Sequence, residues 1–189
     1  MNFADLSKAH FTAARLTDAY FNSAKLTKAR LNYVNMTGAH LSKACLRAAR
    51  LKNAWLMHAK LNGTQLSGAN FNKADLRCAR FNDANLTNAR LDNAILINKS
   101  AKLSDKILYP ASGFTVTEAI LIGASIRGLD CVKIPFTLSN ILTMFGDGSV
   151  TLPNRTARPA HWPNEVLDWP EYKAAWLLWQ KSHGMGTDS

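Results

Sequence analysis

The strongest constraint on the fold is a five-residue period that runs without interruption through the first half of the chain. From Leu6 to Leu96 every fifth residue is large and apolar: of these 19 positions, 14 hold Leu, four hold Phe and one holds Met. Two residues before each of them stands Ala in 17 of 19 cases, the exceptions being Val34 and Thr64. The other three residues of each unit are mostly polar.

An α-helix cannot satisfy this period, because 3.6 residues per turn would spread the leucines around the whole circumference. A flat strand would place successive leucines on opposite faces. A solenoid with sides five residues long puts all of them inside, and the second inward residue must then be small because each side is narrow. The predicted core includes Leu6, Phe11, Leu16, Phe21, Leu26, Leu31, Phe71 and Phe81.

Several units follow the form A(D/N)LXX, among them Ala4-Asp5-Leu6, Ala69-Asn70-Phe71 and Ala74-Asp75-Leu76. On these units the chain resembles the pentapeptide-repeat family. The resemblance implies an all-β solenoid, a right-handed quadrilateral β-helix with four pentapeptides in each coil and coils stacked about 4.8 Å apart. We assign residues 1–97 to this regular β-helix.

The pattern is lost over residues 98–113, which contain Pro110 and Gly113 and are predicted to form a loop or an irregular coil. From Phe114 the five-residue spacing returns weakly and in register. We predict degenerate final coils over residues 114–144, in which larger residues replace Ala. A mixed cap of short strands is the alternative for this stretch.

Residues 145–189 are predicted to form an extended strap followed by a short helix. Residues 145–163 read FGDGSVTLPNRTARPAHWP and resemble a C-terminal segment of bacterial pentapeptide-repeat proteins, FGDxSxxLP…RPAHWP. Asp168 and Glu171 form a capping box for a helix over about 168–183. The strap is expected to anchor by Leu152 and Trp162, and the helix by an apolar stripe. The side chains predicted to pack at this end are Trp162, Tyr172, Trp176 and Trp179.

Positive charge is concentrated in the repeats. The formal net charge is +10, and residues 1–97 carry 14 Lys and Arg against five Asp. With 20 residues per coil, outward residues fall into columns along the solenoid. One column holds His10, Arg30, Arg50, Asn70 and Arg90, and another holds Tyr20, His40, Lys60 and Arg80. If the two columns are neighbours, they form a basic stripe that attracts nucleic acid or an anionic membrane surface. An ordinary solvated wall is the alternative.

The sequence predicts no catalytic, cofactor or metal site. The five His residues show no HExxH spacing, and neither GxSxG nor GxxxxGK[ST] occurs. Three Cys at wide spacing support neither a disulfide framework nor a zinc site. We therefore expect a protein that is not an enzyme and has no small-molecule substrate.

The function that these features favour is a non-catalytic interaction scaffold for an unknown protein partner, with binding of an anionic polymer or membrane through the basic columns as the alternative. Some pentapeptide-repeat proteins resemble duplex DNA and bind DNA gyrase, but such mimicry needs columns of Asp and Glu, and this repeat is basic. The amino terminus lacks the pattern of a signal peptide, which indicates the cytosol. The resemblance of residues 145–163 to a segment of bacterial members implies a bacterial protein.

The first coil begins at Phe3 without a capping segment. An uncapped coil would expose apolar side chains and the edges of its strands. We therefore expect either a homodimer formed through this end of the solenoid or a longer protein of which the chain is the tail.

Overall fold

The first half of the chain folds into a four-sided coil that repeats every 20 residues. The computed structural model describes residues 1–96, 119–122, 124–129, 131, 136, 138–152 and 156–185. Parallel bridges join every fifth residue, from Asp5 to Asp75, to the residue 20 positions later, as in Asp5 with Lys25 and His10 with Arg30. The bridges involve single residues, one on each side of the coil. The predicted β-helix is therefore confirmed.

Backbone hydrogen bonds join neighbouring coils on every side. On one side, the amide of Leu6 donates to the carbonyl of Lys25 at 2.7 Å, that of Lys8 to Thr27 at 2.8 Å, and that of Lys25 to Ala4 at 2.9 Å. This set recurs around the coil with a period of five residues. Because each bond crosses to the adjacent coil, the stability of a coil depends on its immediate neighbours.

The corners of the coil use the left-handed backbone conformation. The last residue of each A(D/N)LXX unit has a positive φ, for example 61° at Lys8, 59° at Lys28 and 57° at Asn88. Residues other than Gly rarely adopt this region. They do so here because the corner amide then reaches a carbonyl of the next coil, as Lys8 reaches Thr27. The sequence did not reveal these corners, since most of them carry ordinary side chains.

The core is the predicted ladder of alternating small and large residues. From Phe21 to Leu66 nearly every inward side chain is fully buried, and the buried set includes Phe71 and Phe81. Leu6, Phe11 and Leu16 are only partly buried, because they belong to the first coil and pack against one neighbouring coil. Full burial of a leucine contributes about 1.5–3 kcal/mol, so the interior coils supply most of the apolar stabilisation.

The coil resumes in register after the interruption. Asn85 bridges Ile120 and Arg90 bridges Ser125, a separation of 35 residues in place of 20. The extra 15 residues are a multiple of five, so the inward positions are preserved, and Leu121 and Ile126 are buried. The predicted loop at 98–113 lies outside the described residues.

A short helix, α1 (Leu138–Thr143), lies within the stretch for which degenerate coils are predicted. It was not expected from the sequence. Ile141 and Met144 are both buried, and their spacing of three residues suits one face of a helix as well as the core of a coil. Phe145 then bridges Ser125, so the chain rejoins the coil directly after α1.

The predicted C-terminal helix is present as α2 (Trp169–Ser182). Its capping box is formed: the amide of Glu171 donates to Asp168 at 2.9 Å, and the amide of Asp168 donates to the Glu171 carboxylate at 3.2 Å. Tyr172, Trp176 and Trp179 are buried. Neither helix in the described ranges has the length and apolar character that a membrane span requires.

Candidate functional site

The two predicted basic columns lie on different sides of the solenoid and do not form one stripe. The bridges place His10, Arg30 and Arg50 on one side, and His40 and the residues in register with it on another. Four sides follow one another in chain order, one every five residues, so sides ten residues apart are opposite each other. Each column must therefore be considered separately. We call the side with His10, Arg30, Arg50, Asn70 and Arg90 the first face, and the side with Tyr20, His40, Lys60 and Arg80 the opposite face.

A groove of about 750 Å³ follows the first face. It extends from the first coil, at Lys8, to the fifth coil, at Arg90. No Asp or Glu occurs among the described residues that line it. Its basic lining consists of Lys8, His10, Lys28, Arg30, Arg50, Arg90 and Lys173. The groove therefore carries positive charge in its first three coils and again in the fifth, whereas the fourth coil contributes only Gly68 and Asn70.

The shape of the groove comes from a column of corner residues beside the first face. Lys8 and Lys28 occupy this column in the first two coils, whereas Ala48 and Gly68 occupy it in the next two. The change from long to small side chains leaves space next to Arg50. Lys8 and Lys28 were not predicted from the sequence as site residues, although the 20-residue period places them in one column of corner positions.

Helix α2 forms the wall at the end of the groove nearest the last coils. Lys173, Trp176, Leu177 and Gln180 line it, at the spacing of one helical face. The Gln180 amide donates to the side chain of Asn88 at 3.0 Å. Because Asn88 belongs to the fifth coil, this bond joins the wall to the solenoid beside the groove.

The arginines of the first face differ in their surroundings. Arg30 and Arg50 are exposed on adjacent coils, about 4.8 Å apart along the axis. Within the described ranges neither of them forms an ion pair. Arg90, by contrast, lies 4.4 Å from the ring centroid of Trp169 and 3.6 Å from the buried carboxylate of Asp92. The arginines of the first face that are available to a ligand are therefore Arg30 and Arg50, which lie away from the α2 wall.

A buried polar cluster beneath α2 fixes the position of the helix. The hydroxyl of Tyr172 donates to the carbonyl of Phe145 at 2.8 Å and lies 3.2 Å from the hydroxyl of Ser125. Ser125 in turn donates to Asp92. Burial raises the pKa of Asp92 despite the hydrogen bond from Ser125 and the charge of Arg90. Burial, and then the charge of Asp92, raises the pKa of Tyr172 well above its usual value. Tyr172 thus stays protonated and remains a donor.

The strap that precedes α2 is held by Asp147, which is fully buried. Its carboxylate lies 3.3 Å from Nε of Arg127 and accepts hydrogen bonds from the amides of Ser149 at 2.9 Å and Leu167 at 3.1 Å. Arg158 of the RPAHWP segment donates to the carbonyl of Asp147 at 2.6 Å. The buried carboxylate of Asp147 therefore joins Arg127 of the sixth coil to Ser149, near the start of the strap, and to Leu167, just before α2.

His161 and Trp162, in the same segment, connect the end of the coil to α2. Nε2 of His161 and Nε1 of Trp162 donate to the carbonyl of Met144 at 3.0 and 2.8 Å. The imidazole of His161 stacks on Trp179 with ring centroids 4.9 Å apart. Trp162 is buried and Leu152 is partly buried. These contacts give the segment a packing role between the solenoid and the helix.

The opposite face carries its own column of stacked polar residues. The rings of Tyr20 and His40 lie 4.4 Å apart, and Nζ of Lys60 lies 3.4 Å from Nε2 of His40. Lys60 and Arg80 are exposed. Tyr20, His40 and Lys60 are therefore in contact along one column, and Arg80 continues it in register. This column presents positive charge, but α2 does not border it as it borders the first face.

No group of three or more His, Cys, Asp or Glu side chains in the described part of the chain is arranged to hold a metal ion. The three cysteines are all free thiols. The chemistry that the groove does offer is recognition of negative charge, since guanidinium groups bind carboxylates and phosphates through paired hydrogen bonds.

A family model described as pentapeptide repeats matches the chain in eight copies, over residues 4–42, 29–63, 44–77 and 64–98. No curated protein matches the chain at a significant level. Solved structures do match it. A pentapeptide repeat protein from the thylakoid lumen of Arabidopsis thaliana is 20% identical, with a TM-score of 0.39, over 82% of this chain and 83% of that one.

Two further solved structures illustrate the range of the similarity. QnrB1, a plasmid-mediated fluoroquinolone resistance protein, is 15% identical with a TM-score of 0.39, over 100% of this chain and 93% of its own. HetL, a pentapeptide repeat protein involved in heterocyst differentiation regulation in the cyanobacterium Nostoc, is 28% identical with a TM-score of 0.28, over 66% and 62%.

Proposed function

Because this chain belongs to the pentapeptide-repeat family, we propose that it is a non-catalytic interaction protein whose basic groove binds an anionic partner. The observation that carries the proposal is the lining of the groove. Six Lys and Arg residues and one His line it, and no carboxylate does so among the described residues. A surface of one sign attracts a partner of the opposite sign and raises the rate of encounter.

The dimensions of the groove favour an extended polymer. Five coils at a spacing of about 4.8 Å span about 19 Å. An extended polypeptide of five or six residues, at about 3.4 Å per residue, matches this length.

The charge of the repeats also separates this chain from a DNA mimic. Residues 1–97 carry nine more positive than negative side chains. Side chains of this sign bind phosphates and carboxylates and do not imitate them. We therefore propose the same interaction role that the sequence favoured, with a partner that is negatively charged, and on the sequence evidence we propose the bacterial cytosol as its place of action.

Binding of two labelled probes tests the proposal: a fluorescent poly-glutamate peptide and a fluorescent oligothymidylate of equal formal charge. Fluorescence anisotropy at 50 and 200 mM NaCl gives the dissociation constants. We expect at least one probe to bind at 50 mM NaCl and its affinity to fall steeply with salt. The double variant Arg30→Ser/Arg50→Ser should weaken that binding at least tenfold at the lower salt concentration.

The matched control is Lys60→Ser/Arg80→Ser, which removes the same charge from the opposite face. It should change the dissociation constant less than threefold. If neither probe binds, or if the two double variants weaken binding equally, the groove is not the binding site and the proposal is refuted.

A further inference from the structure

The α2 wall of the groove combines polar and apolar side chains, since Trp176 and Leu177 lie between Lys173 and Gln180. Leu177 is partly buried, and Trp176 beside it is almost fully buried. Leu178, the next residue of the helix, is 70% exposed and does not line the groove. An apolar patch beside a row of cations is therefore a specific feature of this wall.

The combination of charges and apolar groups distinguishes between polymer classes. Proteins that bind single-stranded nucleic acid without sequence preference stack the bases on aromatic side chains. Among the described lining residues only His10 and Trp176 have aromatic rings, and Trp176 is 6% exposed and offers no free ring face. A single imidazole in the first coil is therefore the one ring open to a stacked base, too few for successive bases. A nucleic acid would also leave the aliphatic contact at Leu177 unused. An acidic polypeptide, in contrast, supplies carboxylates and aliphatic side chains from one backbone.

We propose that the groove binds an extended acidic segment of a partner protein that carries one large aliphatic side chain, with the carboxylates on Arg30 and Arg50 and the aliphatic group against Leu177. This inference rests on the proposed function and specifies the class of partner. A length of about 19 Å accommodates five or six residues of an extended chain at about 3.4 Å per residue. Guanidinium groups pair with carboxylates through two parallel hydrogen bonds, which fixes the segment along the face.

The test uses three labelled probes: a decapeptide of nine glutamates and one central leucine, the same peptide with serine in place of leucine, and deca-thymidylate. Dissociation constants are measured by anisotropy at 50 mM NaCl with the full chain and with Leu177→Ala. We expect the leucine peptide to bind wild type five- to tenfold more tightly than the serine peptide, because a partly buried leucine side chain loses contact with water.

Leu177→Ala should remove most of this difference, so that the two peptides bind the variant within about twofold of each other. Leu178→Ala is the matched control on the same helix and should leave all three constants unchanged within about twofold. Because the comparison of the two peptides on wild type alters no residue of the protein, it stands even if Leu177→Ala disturbs the helix.

The outcomes separate this inference from the proposed function. If deca-thymidylate binds more tightly than both peptides and still depends on Arg30 and Arg50, the groove binds anions but the inferred partner class is wrong. Equal binding of the two peptides to wild type also contradicts the inference, because the apolar contact would then contribute nothing. Absence of binding by all three probes refutes the proposed function itself.

Discussion

The buried carboxylate of Asp147 provides the most direct test of how the C-terminal strap is held. The substitution Asp147→Asn keeps the size of the side chain and leaves no cavity. It removes the charge that pairs with Arg127 at 3.3 Å. It also replaces one acceptor oxygen by an amide that donates. Each oxygen accepts from a backbone amide, Oδ1 from Ser149 and Oδ2 from Leu167, so in either orientation the new NH2 group faces another donor.

The expected cost follows from burial. Asp147 is 0% exposed and the side chain of Arg127 is 21% exposed, so loss of the carboxylate leaves a largely buried cation without its partner. Breaking such a pair from one side costs about 3–5 kcal/mol. We therefore expect the free energy of unfolding of the C-terminal region to fall by about 3–4 kcal/mol. With a urea m-value of about 1–3 kcal/mol/M, the midpoint should decrease by at least 1 M.

Urea unfolding followed by two signals measures this effect. Four of the five tryptophans lie between residues 162 and 179, so their fluorescence reports mainly on the strap and α2, whereas far-UV circular dichroism reports mainly on the coils. The fluorescence midpoint should decrease more than the circular dichroism midpoint, because coils interact only with their neighbours.

The control for this measurement is Asp75→Asn, which removes a more exposed ion pair with Arg77 in the middle of the solenoid. Its cost should be below about 1 kcal/mol. A decrease of the fluorescence midpoint below 0.3 M for Asp147→Asn, or equal effects of the two substitutions, would refute the reasoning.

Three further predictions concern the core, the buried cluster and the first coil. Leu26→Ala should lower the free energy of unfolding by about 3–5 kcal/mol and Leu6→Ala by less than half as much, because only Leu26 is fully buried. Urea titration measures both losses, and equal losses would contradict the coil model. Because burial raises the pKa of Asp92 in the folded state, the stability of wild type relative to Asp92→Asn should be greatest near pH 4 and should fall as the pH rises through the folded-state pKa. Thermal melts of both proteins from pH 3.5 to 7 test this. A stability difference that does not vary with pH argues against it. A homodimer through the first coil stays a prediction: wild type should sediment as a dimer and Phe11→Lys as a monomer, whereas monomeric wild type excludes that interface.

The repeat region could be predicted almost completely because one physical requirement determines it. An inward position that must be filled every five residues leaves few alternatives to a solenoid, and residues such as Leu31 and Phe71 occupy the predicted interior. The five-residue spacing alone does not predict helix α1. Ile141 satisfies the five-residue spacing and also lies three residues from Met144, so the pattern does not distinguish a coil from one turn of helix.

The groove was only partly predictable. The 20-residue period correctly assigns Arg30 and Arg50 to one column, since register along a solenoid follows from counting. It also shows, once the sides are followed in chain order, that His40 and Lys60 lie on the opposite face. The position of α2 could not be obtained in this way, because it depends on contacts such as Gln180 with Asn88, which are 92 residues apart.

The placement of α2 links the stability of the C-terminal strap to recognition in the groove. The arginines that would hold carboxylates belong to the solenoid, whereas the apolar wall at Leu177 belongs to a helix that Asp147 and Tyr172 hold in place through the strap and the last coils. If the strap loosens, the basic first face remains, whereas Leu177 and Lys173 move away with α2. Asp147→Asn should therefore weaken binding of the leucine peptide at least as strongly as Leu177→Ala does, and weaken binding of the serine peptide less, because that peptide loses only the charge of Lys173. Equal weakening of both peptides would show that α2 and the first face do not make separate contributions.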